Sequence, residues 1–159
     1  MFVSKSGFHF IDYLDPVEEI LPEIDASQLT DEVAAYIETQ LQANAEKFDN
    51  QANIVKQHLP LQNAKVLDVG CGGGLFLSLL KQQGADVIGI ELSDSRAQYA
   101  KAKHRLVIDK HPIESDHWQS GYATYFDAVT LWDVIEHVNY PLQTLQSVAN
   151  VLKEGGVLL

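Results

Sequence analysis

Val66-Leu67-Asp68-Val69-Gly70-Cys71-Gly72-Gly73-Gly74 is the stretch that decides the fold. A short apolar run with a single acid passes straight into a glycine cluster. A helical stretch over residues 75–83 follows, closed by Gly84. Strand, tight turn and helix in that order put the glycines at the carboxyl end of a strand, where open parallel sheets bind ligands. Glycine there lets the backbone turn sharply and approach a ligand with no Cβ in the way. The helix N-terminus adds unpaired N–H groups.

Working outward toward the C-terminus, short apolar runs alternate with helical stretches. Residues 86–90, 105–108, 126–131 and 155–159 read as strands, and 93–103 and 141–152 as helices. Residues between 108 and 126, including Trp118 and Gly121, show no regular period. Strands alternating with helices imply right-handed crossovers, so the expected class is α/β, a Rossmann-like open parallel sheet with helices on both faces. The chain ends inside its fifth strand, which would leave an unpaired apolar edge, so this domain (residues 61–159) is expected to be incomplete at its C-terminus.

Toward the N-terminus the pattern is different. Phe8, Phe10 and Tyr13 show no clear period, and Asp15-Pro16-Val17-Glu18 has the signature of a helix start. Thr30-Asp31-Glu32 opens a longer helical stretch that Pro60 ends, with Val33, Ala34, Ile37 and Leu41 on one stripe and Phe48, Ala52 and Val55 continuing it; Asn44 and Asn50 are its candidate breaks. Residues 1–60 are therefore expected to form a helical cap, or a lid over whatever the second region binds.

The 159 residues carry 11 Lys and Arg against 22 Asp and Glu, a net charge of −11. Residues 1–60 hold −8 of it, with three Lys against eleven acids, and residues 61–159 hold −3. Neither a nucleic-acid backbone nor an anionic membrane suits such a chain. At 46% hydrophobic and 9% aromatic it has the material for a core. One cysteine, Cys71, cannot form an internal disulfide, no basic and apolar leader is read, and no apolar run approaches the roughly 18 residues of a spanning helix. The expectation is a cytoplasmic protein whose partner is a small molecule, with no nucleic acid and no membrane.

The spacing of the loop narrows the ligand. A dinucleotide fingerprint needs glycine at its sixth position, which here is Leu75, and no Gly-Lys-Ser/Thr follows as in a P-loop. What stands instead is acid-x-Gly-x-Gly-x-Gly. A carboxylate at Asp68 repels a pyrophosphate and attracts an ammonium group. Glu91, about 20 residues after the loop begins, ends the second strand where an acid accepts hydrogen bonds from ribose hydroxyls. A ligand with a ribose, an amine, a carboxylate and no pyrophosphate is required, and S-adenosylmethionine meets that description.

Four segments in order carry a family resemblance: residues 66–74; Gly89-Ile90-Glu91-Leu92-Ser93; the run from Phe126 through Asp133-Val134-Ile135-Glu136-His137 to Val138; and Leu152-Lys153-Glu154-Gly155-Gly156-Val157-Leu158. They resemble the successive motifs of class I S-adenosylmethionine-dependent methyltransferases, above all the small-molecule branch similar to the ubiquinone-biosynthesis O-methyltransferases. The resemblance covers residues from about 60 onward and implies a seven-stranded sheet whose last strands are missing here. It implies that Asp68 and the loop residues Gly70, Cys71, Gly72 and Gly74 hold the methionyl part, that Glu91 holds the ribose, and that Leu92 packs on the adenine. Either Asp109 or Glu114 would contact the adenine, since residues 109–114 depart from the usual Gly-Asp pattern. Leu131 and Trp132 would line the cofactor.

Asp133, Glu136 and His137 are the catalytic candidates. On a helix their spacing of three and four puts them on one face. Methyl transfer needs mainly proximity and orientation, and a hydroxyl acceptor gains from a base of near-neutral pKa, which His137 supplies. In some relatives, the resemblance implies, such a group binds a divalent cation; no metal ligand is assigned here. His9, His58, His104, His111 and His117 lack partners in any recognisable spacing and read as surface residues. The expected activity is methyl transfer from S-adenosylmethionine to a small molecule, most simply on oxygen, leaving S-adenosylhomocysteine. The alternative is a non-catalytic binding or interaction module that keeps the fold.

Overall fold

The structure, a computed structural model, describes residues 2–3, 9–10 and 28–159. The helix start read at Asp15-Pro16 lies outside the described residues. Two short strands, β1 (Phe2–Val3) and β2 (His9–Phe10), pair antiparallel. Two helices follow, α1 (Asp31–Ala43) and α2 (Ala45–His58). Thr30 caps α1 as its hydroxyl accepts from Val33 N–H at 3.2 Å. The single long helix expected here is broken at Asn44, whose side-chain amide turns back to donate to the Gln40 carbonyl at 2.9 Å. That bond satisfies a carbonyl at the end of α1 that the next turn would otherwise have used. Asn50 lies within α2 and breaks nothing.

The remaining chain alternates as expected: β3 (Lys65–Val69), α3 (Leu75–Gln82), β4 (Asp86–Ile90), α4 (Asp94–His104), β5 (Val107–Asp109), α5 (Asp116–Gly121), β6 (Phe126–Thr130), α6 (Pro141–Val151) and β7 (Leu152–Leu158). The five strands lie parallel in the order β5-β4-β3-β6-β7. The stretch without a period holds α5, too short to show one. β7 starts three residues earlier than the glycines suggest, because Leu152 pairs with Phe126 before the register shifts and Val157 takes up Ala128.

Period-two alternation sends β3 side chains to two cores. Val66 joins Ala52 and Val55 of α2, Leu77 and Leu80 of α3, and Ala97 and Ala100 of α4 on one face. Leu67 and Val69 join Trp118 of α5 and Val148 and Val151 of α6 on the other. A third cluster of Val33, Ile37 and Tyr99 seats α1 on α4. The chain order reverses between β3 and β6, and at such a switch point the flanking loops part and leave a crevice at the carboxyl ends of the strands. None of the described helices is long and apolar enough to cross a membrane.

Candidate functional site

The loop after β3 is built by its glycines. Gly70, Gly72 and Gly74 all have positive φ, at 76°, 56° and 81°. The alternate-glycine spacing thus marks the backbone positions that L side chains avoid. The amides of Gly70 and Cys71 both donate to the Ile90 carbonyl, at 2.8 and 2.9 Å, and this ties the loop to the end of β4. Gly73 serves close approach: a Cβ there would stand 2.9 Å from Leu41 and 3.0 Å from Ile37, so any larger residue would require these α1 side chains to shift.

Three loop-bearing strands contribute the polar groups. Asp68 on β3 is buried, and one carboxyl oxygen accepts from the buried Thr130 hydroxyl on β6 at 2.7 Å. Burial pushes its pKa up to about 7, the neighbouring Glu91 charge adds to the rise, and the Thr130 bond opposes it. Glu91 is buried behind the loop, with one oxygen accepting from Gly72 N–H at 2.8 Å and the other from Ser93 N–H at 2.7 Å. Each oxygen retains a lone pair for a further donor. Burial and the charges of Asp68 and Glu91 push the Cys71 thiol upward, which favours the neutral thiol.

A cavity of about 260 Å³ opens over this loop beneath α1 and α2. Asp68, Gly70, Cys71 and Gly72 form its floor, Trp132 and Asp133 one wall, and Tyr36, Phe48, Gln51 and Arg96 much of the rest. A Cβ on Gly72 would meet no atom of the described residues within 4 Å. Two buried polar atoms on the lining, Gln51 Oε1 and Trp132 Nε1, have no hydrogen-bond partner among the described residues. An acceptor and a donor left bare in the same small cavity await a ligand or water, because an unmade buried bond costs about 1–3 kcal/mol. The Trp132 ring is held by an edge-to-face contact with Phe76 at 6.0 Å.

The other expected site residues are spread around this cavity. Gly74 lies under the loop as the N-cap of α3, where a Cβ would stand 2.6 Å from Leu106. Leu92 is exposed at the end of β4, outside the cavity lining. Leu131 packs with the Leu67–Val129 cluster on the opposite face of the sheet. Glu114 accepts from Thr144 Oγ1 of α6 at 2.5 Å and so is engaged away from the rim. Asp109, at the end of β5, stays on the rim.

The premise that Asp133, Glu136 and His137 share a helix face does not hold. Residues 132–137 form a series of turns, and Asp133 has φ 54°, a left-handed conformation that no helix contains. Asp133 reaches the cavity and pairs with Lys47 of α2, whereas Glu136 and His137 are exposed and outside its lining. Two of the histidines read as unpartnered surface residues have a partner: His111 Nδ1 lies 2.8 Å and His117 Nε2 3.3 Å from the Asp109 carboxylate. The Asp-x-His spacing carried that signal. Gln51 and Arg96 gave none, since a helical Gln and Arg on an amphipathic stretch look like solvated surface.

Residues 36–159 match a family model described as a methyltransferase domain. Two curated relatives, both named ubiquinone biosynthesis O-methyltransferase, are 39% identical over 112 residues (Histophilus somni) and 31% identical over 109 residues (Stutzerimonas stutzeri). These matches cover 66% and 67% of this chain and 47% of each relative, so the chain spans about half the length of the curated relatives it matches. Among solved structures, a TehB-like S-adenosylmethionine-dependent methyltransferase from Corynebacterium glutamicum superposes with a TM-score of 0.61 at 22% identity. That match covers 78% of this chain and 71% of the other, and it shows a shared fold.

Proposed function

The chain belongs to the methyltransferase domain family, whose cofactor is S-adenosylmethionine, and from that premise we propose that it methylates a small molecule, on oxygen. The observation that carries the reading is Asp68: a buried carboxyl at the floor of a cavity whose lining carries a buried donor and acceptor unpaired among the described residues.

The residues present fit the cofactor. Asp68 suits an ammonium group, and Arg96, also on the cavity lining, suits a carboxylate. Glu91 is fixed by two backbone N–H groups and keeps acceptor capacity for the hydroxyls of a ribose. When bound, the cofactor supplies an electrophilic methyl group on a sulfonium, so the protein needs no covalent step of its own. Its residues act by orientation and by exclusion of water. Asp68 gives up its proton as it takes the ammonium. Phe48 and Trp132 cover the cavity with apolar surface, and α1, seated on Gly73 by Ile37 and Leu41, closes it from above. The proton of the acceptor hydroxyl passes to the Asp133 carboxylate, which reaches the cavity from the turns after β6. The names of the relatives support oxygen as the accepting atom.

The test is methyl transfer from labelled S-adenosylmethionine to a panel of phenols, amines and carboxylic acids by the full-length protein, alongside titration with S-adenosylhomocysteine. Binding with turnover on a phenol is expected. Binding without turnover on any of the panel would leave a cofactor-binding module, and no binding to folded protein would sink the cofactor assignment.

A further inference from the structure

We propose that Asp109, His111 and His117 form a binding site for a divalent transition-metal ion of the zinc class, at the carboxyl end of β5. One ligand atom from each residue lies within 4.8 Å of the other two. A tetrahedral zinc ion with bonds of about 2.0–2.1 Å sets its ligand atoms about 3.3 Å apart. Small side-chain rotations close that difference. Two imidazoles and a carboxylate are donors that zinc, cobalt and nickel accept and that magnesium and calcium, which prefer all-oxygen shells, do not. Three protein ligands leave a fourth position for water.

Position and support distinguish this cluster from a chance surface pairing. The His111 N–H donates to Asp109 Oδ1 at 2.7 Å, which fixes the carboxylate against its own loop. The His111 carbonyl accepts from the indole N–H of Trp118 at 2.9 Å, and Trp118 is fully buried, so the loop is anchored in the core beneath. The His117 ring stands edge-on against Trp118 at 5.2 Å and lies nearly parallel to His111, 24° between planes at 4.8 Å. Such backbone and core contacts around ligands are what orient a metal shell. The nearest lysine in sequence, Lys110, is paired with Asp94 and does not occupy the carboxylate. The two imidazoles contact different oxygens of Asp109, at 2.8 and 3.3 Å, so both rings already face its carboxylate.

The ion would pin the loop of residues 110–115, between β5 and α5, to the rim of the sheet. This site is independent of the methyl-transfer reading, and its test uses zinc and cobalt chlorides on the full chain without cofactor. Calorimetry is expected to show one zinc ion bound per chain, and cobalt to develop the visible absorption bands of a tetrahedral site. Zinc is expected to raise the melting temperature and magnesium to leave it unchanged. His111→Ala with His117→Ala should weaken zinc binding by on the order of 100-fold or more. His58→Ala, an exposed histidine remote in sequence, should leave it unchanged. Absence of zinc binding by the folded wild-type chain, or binding that survives the double substitution, would overturn the proposal. Should the double variant fail to fold, the cobalt spectrum of His117→Gln alone decides, since loss of one imidazole must shift or abolish the bands.

Discussion

Asp68 and Asp109 stand near the carboxyl ends of strands that are separated only by β4, on the same rim of the same sheet, yet their surroundings treat them in opposite ways. Asp68 is buried with one hydroxyl for company, and its pKa is pushed up to about 7. Asp109 also feels burial, but the backbone and ring of His111, followed by the charges of His117 and His111, outweigh it and hold its carboxyl below the ordinary range. A carboxyl kept short of positive charge is prepared for a ligand that brings one. A carboxylate already supplied with donors is set by the protein itself. The sheet therefore carries at β3 a site completed from outside and at β5 one assembled from its own loop.

Trp118→Ala breaks the comparison on the β5 side and has the largest expected effect. The ring is fully buried between α5, α6 and β6, and its N–H holds the His111 carbonyl. Removing it should cost about 3–5 kcal/mol in urea unfolding. The Asp109 cluster should loosen with it, read as faster amide exchange at His111. A loss under about 1 kcal/mol would mean that the Phe126–Tyr122 aromatic packing supports that rim without Trp118.

Asp68→Asn acts on the β3 side. It keeps shape and removes the charge, so affinity for S-adenosylhomocysteine should fall by about 10–100-fold, the worth of a charge-assisted bond of about 1.5–3 kcal/mol. Unchanged affinity by calorimetry would remove Asp68 from the site. The effect on stability has the other sign. With its folded pKa near 7 against 3.8 ordinarily, Asp68 in the ligand-free fold keeps a proton that the unfolded chain loses across that window. Stability from this group thus falls as pH rises from 3.8 to about 7 and is lowest above it, and Asp68→Asn should flatten that slope. Ligand affinity should rise by up to about 10-fold per pH unit below about 7 and level off above it, a dependence absent from the Asn variant.

The contrast between the two rims also explains what could be read from the sequence alone. The strand that carries Asp68, the glycine spacing and Glu91 sit within 26 residues of one another, and local rules of strand, turn and helix fix their relation. Sheet class and loop position were legible for that reason. Gln51 and Arg96 reach the cavity, and Lys47 pairs with Asp133 on its wall, from helices whose docking depends on packing across the sheet face, which no local spacing encodes. The Asp133–His137 turns misled because i, i+3, i+4 spacing implies a shared face only on a helix, and Asp133 takes a left-handed backbone that stops one forming. His111 and His117 escaped because five residues separate them, from an irregular loop into the start of α5, and the anchor that brings them together is Trp118 in the core.

Lys47 offers the smallest test and the finest one. Its ion pair with Asp133 joins α2 to the turns after β6 across the mouth of the cavity, with the two side chains 48% and 62% exposed. An exposed pair is screened by salt and contributes about 0–1 kcal/mol. Lys47→Ala should therefore leave stability within that range and change S-adenosylhomocysteine affinity by no more than about fivefold. The change should shrink further as salt is added. A much larger loss of affinity would mean that freeing Asp133 places a second uncompensated carboxylate beside the cavity that Asp68 already serves. The β3 site would then depend on a cation from the cap as well as one from the ligand, and its contrast with the self-assembled cluster at β5 would narrow.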